Sequence, residues 1–564
     1  MKRFLLPLLL ISSAILFAQP KFPVAYEAKF PIKADGIKTF SYDHDLIIIA
    51  NDEEAAAMKT EDGSPVWTVN YANSLGEEEL AWKRHFPKSH VLLVYSEASK
   101  KKPCHKFFLD DRSGELLWKT SEMGDLESFE TAIRPYFTDT VQGFTDPTSG
   151  NFIDLRTGKT VPSPICDLRI YEGNDYQAKF RNVLENGDIL RVDVAFKITS
   201  DMGKVRVTRI KNCNVTWQQQ YDLKAVQKLC GSKLASGKWF NYNTHAAAVY
   251  VDAILKGDIL FVVGEGIVAI DLKNGNVLWT TTFDTSDKSF GLTAKQTLHM
   301  ASIPVITDDA IFLADLSKGE KVIKRLDLKS GKEVWRSSEL KKDDVVPNMG
   351  LVDGVLICQL GGYLLQEVMN GNGDCMIKND LKGNYGILAL DPETGQELWN
   401  TQKMKKQLTD DFGDKISNIV LEKNTVFAFG KKALMALDPK TGKEIRSTEI
   451  KKLKTGDAIL LEYDKDNDQL LIVAEEGLSS VNPNSGTLNF STRVDKYLLG
   501  VTYGTLDLIW VGKDGNDLRE FVQINRKNGE LLAKQKDTPY PHFAPDGSYF
   551  IVFDKKTATR FNTF

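Results

Sequence analysis

Seven histidines, six cysteines and 76 acidic residues are among the groups on this 564-residue chain able to do metal, nucleophilic or acid–base chemistry. Their spacing organises almost none of it. The histidines (His44, His85, His90, His105, His245, His299 and His542) form no HExxH pair and no other short-range metal pair. No GxSxG elbow, phosphate-binding glycine loop or dinucleotide glycine pattern follows a strand-like run. Cys104-His105 ends like a haem-attachment motif, but Lys101 stands where its first cysteine belongs. The segment DKDNDQLLIVAE places Asp464, Asp466, Asp468 and Glu475 at positions one, three, five and twelve of a calcium loop. Gln469 occupies the position that loop gives to Gly, and the segment runs directly into an apolar strand, so it reads as a polar hairpin tip. NGNGDC at 370–375 likewise reads as turn chemistry. These signals assign no catalytic, cofactor-binding or metal residue.

The residues that do recur at regular spacing are of another kind. Nine times a Gly follows Thr, Ser, Asn or Asp: Gly63, Gly114, Gly158, Gly275, Gly331, Gly395, Gly442, Gly486 and Gly529. The clearest copies read LDPETGQELW (390–399), LDLKSGKEVW (326–335), IDLKNGNVLW (270–279), LDPKTGKEIR (437–446) and LDDRSGELLW (109–118). Most intervals between these glycines are 43–64 residues, and the single gap of 117 after Gly158 leaves room for one degenerate unit. Self-similarity at that period is the signature of a stacked or circular repeat.

Each motif position has a physical job. Four residues before the Gly stands Asp110, Asp154, Asp271, Asp327, Asp391 or Asp438, with Asn482 and Asn525 in two weaker copies. A short acceptor there can bond backbone N–H groups further along and close a turn. Pro392, Pro439 and Pro483 follow, where a fixed φ suits the first central turn position. The Gly is expected in the left-handed conformation. Trp67, Trp118, Trp279, Trp335 and Trp399 stand four residues after it and read as anchors packed between neighbouring units. Pro162, Arg446, Phe490 and Ala533 take that place in the weaker copies, whose interfaces are expected to pack differently.

What surrounds the motif is strand-like. DLIIIAN (45–51), HVLLVYSE (90–97), DILFVVGE (258–265), AIFLADL (310–316) and QLLIVAEE (469–476) are short, β-branched or aromatic, and bounded by turn residues. Two such runs, the run entering the turn and the run leaving it make a four-stranded antiparallel unit of about 40–50 residues, the size of a propeller blade. The expected fold is all-β, a β-propeller of about seven to ten repeat units. The most helical stretch, DLKAVQKLCGSKLA (222–235), lies between two units.

The pattern Leu-Asp-x-x-Thr-Gly-x-x-x-Trp resembles the repeat of the pyrroloquinoline-quinone-like β-propellers. That superfamily includes quinoprotein alcohol dehydrogenases and the propeller lipoprotein of the outer-membrane β-barrel assembly machinery. The resemblance extends over nearly the whole chain after residue 40. It implies a propeller fold and leaves the activity open, because one fold hosts many functions.

Residues 1–18 are set apart from that fold. Met-Lys-Arg followed by FLLPLLLISSAILF (4–17) and Ala18 predicts a signal peptide, with the mature chain starting at Gln19 and running as one propeller over 19–564. The apolar run is shorter than the roughly 20 residues needed to span a bilayer. No Cys follows it, which departs from a lipid-anchored lipoprotein. Export to the periplasm or the exterior is expected. The formal net charge of −4 becomes more negative without Lys2 and Arg3, which argues against a nucleic-acid partner.

In an exported chain the cysteines are candidates for disulfides. Cys358 and Cys375 flank an Asn/Gly-rich loop and form the first candidate pair; Cys213 with Cys230, and Cys104 with Cys166, are further candidates. Buried thiols are the alternative.

Nine motif copies and a degenerate unit around RIKNCNVTW (209–217) are followed by a half unit, 542–564, without its outer strand. FPVAYEAKFPI (22–32) is expected to supply that strand, and an internal division is possible near 222–245. Two functions follow from the resemblance. The first is a non-catalytic scaffold binding an envelope protein, a peptide or a glycan, with no cofactor. The alternative is a quinone-dependent dehydrogenase; those enzymes join adjacent cysteines over the quinone and place calcium beside it. No two cysteines here are adjacent, which favours the scaffold.

Overall fold

The recurring Asp-to-Gly segment folds into one local object at every copy. At Asp391 the side-chain Oδ1 accepts from Glu393 N at 2.9 Å, Thr394 N at 2.8 Å and the Thr394 hydroxyl at 2.9 Å. The backbone closes with Gly395 N donating to Asp391 O at 2.8 Å and Asp391 N to Gln396 O at 2.9 Å. Gly395 has φ +72°, the left-handed region that a Cβ penalises. The strand register then slips by one residue between Ala389 and Leu390, so the hairpin is a turn closed by a glycine bulge. The same slip recurs at Ala269/Ile270, Arg325/Leu326 and Ala436/Leu437. Where Asn replaces Asp the acceptor survives: Asn482 Oδ1 takes Asn484 N and Ser485 N at 2.9 Å each.

Seven of the nine turns, all but those at Gly158 and Gly529, link the third and fourth strands of four-stranded antiparallel sheets. The computed structural model describes residues 21–563 apart from 34–38, 43–44, 81, 97–104, 122–142, 146–151, 161–175, 196–203, 212–213, 224–225, 229–246, 250, 285, 288–297, 300–301, 318, 343, 370–374, 405–417, 431–432, 457, 475, 495–507, 513–518, 539–540, 545–547 and 555. Among the described residues there are nine four-stranded sheets, and the expected all-β propeller architecture is the one observed. Eight of the nine use four strands consecutive in the chain, such as Val305–Ile306, Ala310–Asp315, Val322–Asp327 and Glu333–Arg336. The ninth is completed from the other terminus: Val24–Lys29 pairs antiparallel with Thr557–Asn562, as the missing outer strand required.

Two compact units are present. One comprises residues 1–126, 155–157 and 496–564, and holds the terminal sheet, the sheets of Thr39–Asn70 and Trp82–Thr120, and a three-stranded sheet over Leu508–Thr538. The other comprises 127–154 and 158–495, and holds the sheets from Tyr176–Asp222 to Ala458–Arg493. The division expected near 222–245 falls mostly outside the described residues. Within it, Val226–Lys228 does not lie in a helix, as the sequence pattern favours, but pairs with Ala247–Val249. The export segment 1–18 lies outside the described residues, and among those described no helix is long and apolar enough to cross a membrane.

Side chains of the middle strands fill the space between neighbouring sheets. One such core joins Phe312, Ile323 and Trp335 of one sheet to Leu356, Cys358 and Leu388 of the next. The alternation of strand faces sends the intervening residues to the next seam, so each sheet contributes to two cores. Val426, Ala428 and Met435 pack toward Trp399, whereas Phe427, Phe429 and Leu434 pack toward Leu470 and Ile472.

The turn carboxylates also set an acid limit. The backbone N–H and hydroxyl of Thr394 hold Asp391 below the usual carboxylate range, and Ser330 and Thr441 do the same for Asp327 and Asp438. A depressed folded-state pKa contributes stability above the unfolded value, 3.8, that is lost as pH falls through the lower folded value. These carboxylates are expected to make the urea midpoint drop below about pH 4, beyond the loss that buried His542 causes as pH falls below its unfolded value of 6.5. Asp391→Asn keeps the acceptor and should reduce that dependence; a wild-type midpoint unchanged at pH 3 would remove the linkage.

Candidate functional site

The motif's Trp residues meet the turns of the following sheets in a repeated seam. Trp399 donates its Nε1–H to Pro439 O at 2.7 Å, Trp335 to Pro392 O at 2.9 Å, Trp279 to Leu328 O at 3.0 Å, and Trp67 to Asp111 O at 2.7 Å. In every case the acceptor is the carbonyl one residue after the turn's Asp. The indole then lies flat against the turn glycine: a Cβ on Gly331 would stand 2.4 Å from Trp279, and on Gly395 2.6 Å from Trp335. Glycine is therefore required twice at one position, for its φ and for the indole's approach. The anchor role expected of these tryptophans is the one they have.

Three further seam residues escape the sequence pattern. Trp217, in the degenerate unit, donates to Leu272 O at 3.0 Å and covers Gly275. Tyr26, on the N-terminal strand, covers Gly63 and donates its hydroxyl to Thr60 O at 3.0 Å. Arg446 donates to Pro483 O, the equivalent carbonyl, and its guanidinium carbon lies 5.7 Å from the centre of the Phe427 ring.

Arg446 fills its seam less well than an indole does. Its Cδ is 3.4 Å from where a Cβ on Gly486 would stand, its buried Nε has no hydrogen-bond partner, and burial holds its pKa below the ordinary arginine value. A cleft lined by Phe427, Leu434, Leu470, Val481 and Asn482 remains beside it. Arg446→Trp is expected to stabilise the chain by about 1 kcal/mol or more, through apolar burial and removal of an unsatisfied donor. A lower urea midpoint would show that the cleft cannot accept the ring.

A group of titratable side chains gathers about the turn of LDDRSG. The buried Asp111 carboxylate has His85 Nε2 2.9 Å from Oδ2 and His90 Nδ1 3.4 Å from Oδ1. Arg112 Nη2 lies 2.9 Å from His90 Nε2. Arginine only donates, so His90 Nε2 accepts, and the neutral ring carries its proton on Nδ1, facing Asp111. The nitrogen that a general base would use is thus covered by a group that cannot release a proton. Arg156 donates to Asp110 Oδ2 at 2.5 Å and to Ser89 O and His90 O at 3.2 and 3.1 Å. With Trp67 bonded to Asp111 O, this cluster braces the seam.

A second buried group lies on the strand Ile189–Ala195. Asp193 accepts from Arg191 Nε at 2.5 Å and Arg206 Nη2 at 3.2 Å, and burial nevertheless holds its carboxyl above the usual range. Such perturbed groups mark functional sites only as a tendency. Here one partner, Arg191, lies on the same strand and the other, Arg206, on the adjacent strand Lys204–Lys211.

The calcium-like segment is a hairpin tip. Asp464 Oδ1 accepts from Asp466 N and Asn467 N, its Oδ2 accepts from the Asn467 and Gln469 amides, and Asp468 pairs with Tyr463 and Lys423. Glu475 lies outside the described residues, and among those described no group of three His, Cys, Asp or Glu side chains is placed to hold a metal ion. The Asp464 and Asp468 carboxylates serve the turn.

The expected Cys358–Cys375 disulfide is corrected. Cys358 is a free, buried thiol, and burial pushes it well above the usual thiol range. Its hairpin is longer than a blade needs: Cys358 stands opposite Leu388, while Cys375 stands opposite Met369 near the far end. Eleven residues of extended strand between positions 358 and 369 separate them by about 35 Å. Cys104, Cys166, Cys213 and Cys230 lie outside the described residues.

A protein-family model described as "Outer membrane protein assembly factor BamB", built of PQQ-like repeats, matches residues 188–337 and 366–535, more than half of the chain. The chain belongs to this family. The matched residues include Trp279, Trp335, Trp399 and the turns that they meet. Among solved structures, BamB from Moraxella catarrhalis is 14% identical, with 69% of this chain and 100% of that one covered and a TM-score of 0.33. The quinohemoprotein alcohol dehydrogenase ADHIIG from Pseudomonas putida HK5 is 10% identical, with 80% and 72% covered and a TM-score of 0.27. The computationally designed Ika8 protein is 7% identical, with 97% and 100% covered and a TM-score of 0.24. No curated protein matches the chain.

Proposed function

We propose that this protein is an exported, non-catalytic β-propeller scaffold of the cell envelope that binds another envelope protein, a peptide or a glycan. The observation that carries this reading is the commitment of the recurring residues. Asp closes the turn, Gly admits the indole and Trp bonds the next turn, so the repeat builds a frame and leaves recognition to blade loops and edges. The family's description as an outer-membrane protein assembly factor supports a protein partner of that machinery. The leader over 1–18 supports release of a mature chain beginning at Gln19, in the periplasm or outside the cell.

Two measurements test the proposal. Amino-terminal sequencing of fractionated cells should find Gln19 at the start of a released chain; an intact Met1 in the membrane pellet would contradict export. Incubation with pyrroloquinoline quinone and Ca²⁺, followed by dye reduction with alcohols and aldose sugars, should give neither a bound chromophore nor turnover. Stoichiometric quinone with turnover would replace the scaffold reading by the dehydrogenase.

A further inference from the structure

One sheet departs from its neighbours. Its two middle strands, Val355–Met369 and Cys375–Leu390, have 15 and 16 residues, against 5 each for Thr425–Phe429 and Ala433–Leu437 in the next sheet. The flanking strands cover only their base. Asn348–Val352 pairs with residues 355–359, and Glu397–Asn400 pairs with residues 388–390. Beyond a register shift between Leu360 and Gly362, residues 362–369 pair only with 375–382. Among the described residues, no third strand pairs with either edge of this ribbon, which is about 25 Å long.

Open strand edges invite pairing with another chain, and proteins protect them with charge. The two edges here differ in that respect. The strand of residues 375–382 carries Lys378, Asp380 and Lys382. The strand Tyr-Leu-Leu-Gln-Glu-Val-Met, 363–369, has Glu367 as its one charge and contains no Lys or Pro. It is also close to a palindrome in residue class about Gln366.

We propose that the edge of residues 363–369 pairs antiparallel with the same edge of a second copy of this chain. A two-fold axis at Gln366 joins the two ribbons into a four-stranded sheet. Such an interface is self-complementary by construction. In this register Leu364 stands opposite Val368, Tyr363 opposite Met369, and Leu365 opposite Glu367, so no like charges meet. The inference is independent of the scaffold proposal, because it concerns self-association alone.

Sedimentation velocity on the mature chain across a concentration series tests it. The expected result is a concentration-dependent doubling of mass. Leu364→Lys combined with Val368→Lys puts like charges opposite each other in both pairs and should leave a monomer at every concentration. Leu364→Lys combined with Val368→Glu puts opposite charges there and should restore the dimer. Met376→Lys, on the other edge, should leave the mass unchanged, and circular dichroism of each variant reports that it is folded. A monomeric wild type, a dimer that survives the like-charge variant, or an opposite-charge variant that stays monomeric would each overturn the proposal. The first of these is also the result expected if the edge takes a strand from a different protein.

Discussion

Trp279→Ala, Trp335→Ala and Trp399→Ala are each expected to lower the free energy of unfolding by roughly 3–5 kcal/mol, the range for large core truncations. Each ring is at most 9% exposed and bridges two sheets. Removing it empties the space over the next turn's glycine and leaves the carbonyl of Leu328, Pro392 or Pro439 without its indole donor. Trp335 also packs against the Phe312 ring, 6.0 Å between centres, and a methyl group cannot reach that far. Chemical denaturation measures the effect. A tryptophan serving as an exposed ligand platform would leave the midpoint unchanged, so an unaltered curve would contradict the seam.

Gly331→Ala should come close to the same loss from the opposite side of the seam. The left-handed φ of +65° costs an L-residue about 1–2 kcal/mol. The new methyl would meet the Trp279 ring at 2.4 Å, an overpacking term of about 1–3 kcal/mol. The two terms separate in a double-mutant cycle. In the Trp279→Ala background the clash has no partner, so Gly331→Ala should then cost only the conformational term. Gly76→Ala is the matching control: φ is +77° and nothing lies within 4 Å of the added methyl. Additive losses in the cycle would mean that the indole moves aside freely and the seam is loosely packed.

The seam was legible in the sequence wherever its chemistry uses one residue type at one spacing. Asp391, Gly395 and Trp399 announce turn, bulge and anchor because they fall at fixed spacing in one short repeated segment, although the anchor's partner, Pro439, lies in the next copy. Tyr26 does not, because it reaches its turn from the other end of the protein, and only strand pairing with Thr557–Asn562 brings it there. Arg446 was visible as a departure from Trp. Its use of the same carbonyl was not, since a guanidinium and an indole share a donor but little else. Trp217 lay hidden in a unit whose Asp and Gly have drifted. The Cys358–Cys375 pairing failed for a related reason: sequence separation fixes loop length, whereas strand register fixes distance, and the extended ribbon sets these at odds. The Asp111 cluster had no sequence signal beyond three polar residues near a turn, because His85 joins it through strand pairing.

The most direct measurement on the scaffold reading is cross-linking in intact cells. The chain, tagged at its C-terminus, would be purified from the envelope and its covalent partners identified by mass spectrometry. The expected result is a reproducible cross-link to a component of the outer-membrane protein assembly machinery, retained in the Arg446→Trp variant. Recovery of the chain with no envelope partner, together with quinone-dependent turnover in the same preparation, would contradict the account.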